Sequence, residues 1–62
     1  MRKITTLTDG KFEARVYRDS EWDEYITKYY QDGVYIDGDS HTDDKQDALV
    51  TAKAVLAFFN RA

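Results

Sequence analysis

The stretch that most constrains this chain is its last third, residues 43–62, reading DDKQDALVTAKAVLAFFNRA. Its apolar residues recur at helical spacing. At 100° per residue, Ala48, Ala52, Val55, Leu56 and Phe59 fall within about 100° of one another, with Leu49 beside them. That stripe predicts a helix laid on a sheet. Val50, Ala54, Ala57 and Phe58 form a second apolar strip, roughly opposite, and after Asp47 the only charges are Lys53 and Arg61. A helix packed on one sheet ordinarily shows solvent a more polar back. The small residues at 54 and 57 would let another helix approach closely, so these four are candidates for a homodimer face. Helix tilt, or residues 2–8 folding over the strip, would instead bury it within one chain. Thr42 or Asp43 is expected to cap the helix, Asp43 with Gln46 as a capping box, and either choice sets carboxylates against the positive end of the helix dipole.

The chain upstream reads as short strands that need this helix as a lid. Residues 11–18 alternate cleanly, with Phe12, Ala14 and Val16 on one side and Lys11, Glu13, Arg15 and Tyr17 on the other. Residues 2–8 are β-prone, yet Ile4 and Leu7 would fall on opposite faces of a regular strand. An edge strand is expected there, with a flexible tail as the competing reading. Asp9-Gly10 and Asp32-Gly33 are dipeptides of type I′ hairpin turns, and residues 19–21 form a polar turn. Residues 22–31 (WDEYITKYYQ) are strand-like with an ambiguous face. Ile26 and Tyr30 are expected toward the helix and Tyr25 and Tyr29 outside, although a shift by one residue would invert this. Residues 34–36 make a short strand and residues 37–42 a polar loop. The expected fold is α+β: an antiparallel meander of three or four strands with one C-terminal helix across one face.

Size and composition narrow the function. Sixty-two residues make a single domain with a thin stability margin. There is no cysteine and one histidine, so neither a disulfide nor a zinc site of ordinary His/Cys type can form within one chain. Dense aromatics (five Tyr, three Phe, one Trp) and self-association remain as sources of buried area. The longest near-continuous apolar run, residues 54–59, is far short of a membrane span, and MRKITTLTDG lacks the apolar region of a signal peptide. These features point to a soluble protein of a reducing cytoplasm.

Charge is unevenly spread. Residues 1–18 carry five cations against Asp9 and Glu13, a balance of +3. Residues 19–47 carry ten acids against Lys28 and Lys45, a balance of −8, and Lys53 and Arg61 bring the total to −3. So acidic a middle disfavours a nucleic-acid backbone as partner, since binding there depends on cations replacing counterions.

The chemistry-bearing motifs are few. Asp37-Gly38-Asp39-Ser40-His41-Thr42-Asp43-Asp44 invites a calcium reading, but an EF-hand starting at Asp37 would meet His41, Thr42 and Ala48 at positions 5, 6 and 12. A turn leading into a helix cap accounts for the same residues. His41 is of the residue type that often serves as a general base, yet no cysteine accompanies it and so small a domain offers little room for a walled pocket. Neither catalysis nor a cofactor is expected. Tyr17, Tyr25, Tyr29, Tyr30 and Tyr35 with Trp22 could stack single-stranded bases beside Lys11, Arg15, Arg18 and Lys28, or could simply fill a small core. The carboxylates of 19–24 and 37–47 could mimic a phosphate backbone, steering toward another protein's cationic groove, or serve solubility and the helix dipole. On these grounds Trp22, Tyr25, Tyr29, Asp37, Asp39, Asp43 and Asp44 are candidates for contact with a partner protein.

The run from Tyr35 to Lys53, especially Thr42-Asp43-Asp44-Lys45-Gln46-Asp47-Ala48 and Thr51-Ala52, resembles small proteins of tailed bacteriophages in which a strand hairpin leads into TDDK-x-DA and an Ala-rich helix. It covers about a third of the chain. Asp37-Gly38-Asp39 departs from the less glycine-rich connection of that pattern, so no loop role carries over. The resemblance implies a setting, a phage or prophage accessory protein in a bacterial cytoplasm. Such proteins often bind and inhibit a host enzyme or defence complex. The expected function is thus a small acidic non-enzymatic interaction protein acting on a host protein, with a nucleic-acid-binding sheet face or a purely structural homodimer as alternatives.

Overall fold

Strict alternation in β2 (Phe12–Asp19) sets the two faces of the sheet, because Phe12, Ala14 and Val16 are all buried on one side. The computed structural model describes residues 1–61, and for residues 37–39 the backbone alone. Around β2 lie β1 (Arg2–Asp9), β3 (Glu24–Gln31) and β4 (Val34–Thr42), in an antiparallel sheet of order β1-β2-β3-β4. The helix α1 (Lys45–Arg61) lies across one face and touches all four strands. Ala62, where the helix was expected to end, lies outside the described residues.

The edge strand β1 forms as expected, and its poor periodicity has a cause. Its pairing with β2 slips between Lys3 and Thr5, a bulge that adds one residue. Ile4 and Leu7, which a regular strand would set on opposite faces, therefore both pack against the core.

The face of β3 corrects the expectation. Tyr29 pairs with Ala14 and Thr27 with Val16, and residues directly opposite in an antiparallel pair share a face. Tyr25, Thr27 and Tyr29 thus lie on the helix side, while Ile26 and Tyr30 lie on the open side with Lys28. Charge decides the matter. The helix-facing set of β3 carries no charge, whereas the opposite rotation would set Glu24 and Lys28 beneath a helix. Ile26 is nevertheless buried, flanked in register by Tyr17 and His41.

The turns are also sharpened. Asp32 and Gly33 both have positive φ, 52° and 83°, as a type I′ turn requires. The first hairpin instead turns on Gly10-Lys11, with positive φ only at Gly10 (61°), the type II′ pattern. The β2–β3 turn spans residues 20–23, so Trp22 belongs to a turn and not to a strand. Residues 37–42, expected as a loop, continue β4. Tyr35 pairs with Tyr30 but Ser40 with Thr27, so β4 accommodates two extra residues through irregularities while keeping its pairing.

The helix is capped by Asp44, not by Thr42 or Asp43. Asp44 Oδ1 accepts from the backbone N–H of Gln46 (2.9 Å) and Asp47 (3.4 Å). Thr42 Oγ1 accepts from the Asp44 N–H at 3.2 Å and donates to Asp47 Oδ2 at 3.1 Å. Buried Ala48, Ala52 and Leu56 meet Phe12, Ala14, Val16 and Tyr29, the small alanines letting helix and sheet approach closely. Phe59 closes the far end, 5.5 Å from the Phe12 ring and edge-on to Tyr29 at 5.7 Å.

Candidate functional site

The topology brings two acidic runs, remote in sequence, to one end of the sheet. Asp19 pairs with Glu24 across the β2–β3 turn, and Tyr25 pairs with Thr42, which leads into α1. Asp19, Glu21, Asp23 and Glu24 therefore share an end of the molecule with Asp43, Asp44 and Asp47. Arg2, Arg18 and Lys45 lie at the same end, leaving acids in the majority.

Trp22 stands at the tip of that end and is 72% exposed. Arg18 holds the turn beneath it. Its guanidinium donates to the carbonyl oxygens of Asp19 (3.4 Å) and Glu24 (3.3 Å) and to Asp23 Oδ1, and it lies 5.0 Å from the centre of the Tyr25 ring. The Glu21 N–H donates to Asp19 Oδ1 at 3.1 Å, and Asp23 takes φ 54°, a conformation that Asp tolerates better than most residues. From the sequence Arg18 is expected only as a charge beside the aromatic residues, and its role as the brace of this turn is not anticipated. The available signal was its position as the one cation directly beside the acids of residues 19–24. The hydrogen bond to Asp23 is the chief cause holding the Arg18 guanidinium above its ordinary pKa. A shallow depression beside this turn is lined by Met1, Arg2, Arg18 and Ser20.

The other partner candidates separate. Asp43 and Asp44 are exposed at the same end as Trp22, Asp44 already engaged as helix cap. Tyr25 is half-buried beneath Arg18. Tyr29 is 3% exposed under the helix and offers no surface to a partner, which corrects its candidacy. The side chains of Asp37 and Asp39 lie outside the described residues.

The aromatic set imagined as a stacking platform is divided between the two faces of the sheet. On the open face Arg15 lies 3.9 Å over the Tyr30 ring while pairing with Glu13, and Lys28 Nζ lies 5.7 Å from the Tyr17 ring centre. The Glu13 hydrogen bond is the chief cause that raises the Arg15 pKa. Tyr35 meets Tyr30 edge-on at 5.7 Å, and His41 Nδ1 lies 2.8 Å from Glu24 Oε1 at an exposed position. Among the described residues, no group of His, Cys, Asp and Glu is placed to hold a metal ion. No described helix is long and apolar enough to cross a membrane.

On the helix, Val50 and Phe58 are 55% and 66% exposed, and Ala54 and Ala57 between them are exposed as well. Neither helix tilt nor β1 covers the strip within one chain. Comparison with protein-family models, curated proteins and solved structures finds no match to this chain.

Proposed function

We propose that this chain is a small non-enzymatic interaction protein, phage-encoded, that binds and inhibits or modulates a protein in the cytoplasm of its bacterial host. One observation carries the reading: Trp22 stands exposed on a turn braced by Arg18, at the end of the sheet where both acidic runs meet. A rigidly presented tryptophan ringed by opposite-sign steering charge is the composition of an interface anchor. The partner surface that fits it has an apolar pocket with a cationic rim, the kind of surface that also holds nucleic acid. The phage setting rests on the resemblance of residues 35–53 alone. Self-association through Val50, Ala54, Ala57 and Phe58 belongs to the same proposal.

Direct nucleic-acid binding is the weaker reading, since Tyr25 and Tyr29 turn toward the helix and the Tyr17 and Tyr30 rings carry cations over them. The test is affinity capture from bacterial lysate with the wild-type chain and Trp22→Ala in parallel, followed by binding to the purified partner at several salt concentrations. A partner held by the wild type, lost with Trp22→Ala and weakened by salt supports the proposal. A shift of single-stranded DNA or RNA at low salt, with no protein partner, overturns it.

A further inference from the structure

The exposed face of α1 has a pattern that the four apolar residues alone do not convey. Asp47, Val50, Ala54, Ala57 and Arg61 follow one another at spacings of three, four, three and four, a heptad-like seam, with Phe58 beside it. At 100° per residue all six lie within about 100° of one another, roughly opposite the buried Ala48, Ala52 and Leu56. The seam begins on an acid in the first helical turn and ends on a base in the last. Its midpoint is Ala54, seven residues from each charge.

From this geometry we infer that the strip pairs with the same strip of a second copy, the two helices antiparallel about a two-fold axis at Ala54. The inference rests on the self-association proposed above and adds its orientation and register. About that axis Asp47 faces Arg61 of the second copy, and Arg61 faces its Asp47, so a single contact yields two reciprocal ion pairs. Val50 faces Phe58 of the second copy, a large side chain against a medium one, and Ala54 faces Ala54. The two small side chains at the centre allow the close approach that such a crossing requires. A parallel pairing would oppose Asp47 to Asp47 and Arg61 to Arg61, two like-charge contacts in place of two favourable ones. The seam runs about 21 Å along the helix at 1.5 Å per residue. A contact of that length by one helix per copy lies at the low end of specific interfaces, which makes the dimer concentration-dependent. Antiparallel pairing also directs the two Trp22 ends away from each other, making the dimer a bivalent ligand.

The chain contains no cysteine, so each introduced thiol is unique. The experiment is air oxidation of full-length Ala54→Cys, Val50→Cys and Phe58→Cys chains, with sedimentation equilibrium of the wild type over a range of concentrations. The inference expects a wild-type mass rising toward twice that of one chain, and a disulfide dimer forming readily from Ala54→Cys. Val50→Cys should resist self-coupling, yet couple when mixed with Phe58→Cys. Arg61→Asp should raise the dissociation constant roughly two- to thirty-fold, the range for two exposed ion pairs, and added Asp47→Arg should recover most of that loss. Val50→Cys coupling to itself as readily as Ala54→Cys would overturn the antiparallel register while leaving self-association standing. A wild type that stays monomeric at every concentration would overturn both and leave the strip to another protein.

Discussion

Asn60 donates from Nδ2 to Asp9 Oδ1 at 2.7 Å, joining the last turn of the helix to the first hairpin across fifty-one residues of chain. The contact sits directly over Gly10, whose missing side chain makes room for it. A Cβ built at Gly10 would stand 3.3 Å from Asn60 Oδ1, tighter than ordinary van der Waals contact. The helix C-terminus is therefore seated on the β1–β2 turn by a polar bond and by a glycine, while Phe12 and Phe59 pack beside it.

Gly10→Ala is accordingly expected to cost more than Gly33→Ala. Both positions have positive φ, for which an L side chain costs about 1–2 kcal/mol, but a Cβ at Gly33 would meet nothing within 4 Å. Asn60→Ala alone should cost about 1 kcal/mol, as a hydrogen bond to a carboxylate at an exposed position. Thermal unfolding of the three variants and of Gly10→Ala/Asn60→Ala checks this. The double variant should lose less than the sum of its parts, because removing Asn60 frees the space the added methyl needs.

The face of β3 is open to an equally direct check. Thr27 is 1% exposed beneath the helix, so Thr27→Asp buries a carboxylate without a partner and should unfold the domain. Lys28→Ala, on the open face, should change stability by no more than about 1 kcal/mol, the scale of its contact with Tyr17. Circular dichroism melts distinguish the two, and the reverse order would restore the inverted strand.

What the sequence disclosed followed from periodicity where charge and hydrophobicity agreed. β2 and α1 each bury one uncharged apolar stripe, so their inward faces were legible. β3 was not, because Trp22 and Ile26 drew one face inward while Glu24 and Lys28 excluded it. The resolution lay in Thr27, a small residue that fits under a helix without contributing hydrophobicity. The start of β4 at residues 34–36 was legible, but its continuation was hidden differently. Residues 37–42 are polar and contain Gly38, yet pairing with β3 supplies the backbone hydrogen bonds that their side chains do not advertise. Of the partner candidates, Trp22 was singled out for its residue type, but its setting in an Arg18-braced turn depends on contacts that span six residues and no periodic pattern reports.

The helix cap makes a third prediction. Asp44→Ala removes the acceptor for the Gln46 and Asp47 N–H groups and should cost about 0.5–2 kcal/mol, whereas Asp43→Ala should be nearly silent. For a domain of this size each kcal/mol shifts the midpoint by about 4–8 °C, so a thermal melt resolves the two variants. Equal losses would move the cap back to Asp43.

Leu56 is 3% exposed at the centre of the helix's inner stripe. Leu56→Ala should cost roughly 2–5 kcal/mol, enough to unfold most of a domain with so small a core. Phe58→Asp, on the opposite side, should leave the fold intact. Retention of the wild-type melting temperature by Leu56→Ala would mean that the inner stripe is not the packed one.

The last prediction concerns Arg18 and Trp22. Because Trp22 is the chain's only tryptophan, its fluorescence reports the β2–β3 turn alone. Arg18→Ala removes the donors that bind the Asp19 and Glu24 carbonyls and the Asp23 carboxylate, so the turn should gain nanosecond mobility. Steady-state anisotropy of Trp22 is expected to fall while far-ultraviolet circular dichroism is unchanged. Arg18→Lys keeps the charge but not the planar fork, and should fall between the two. If the turn is the partner anchor, Arg18→Ala should also weaken partner binding through a faster off-rate, since an anchor ordered only on contact costs conformational entropy. Unchanged anisotropy in Arg18→Ala would show that the turn holds its shape without Arg18, and that Trp22 is presented by the backbone conformation of residues 20–23 itself.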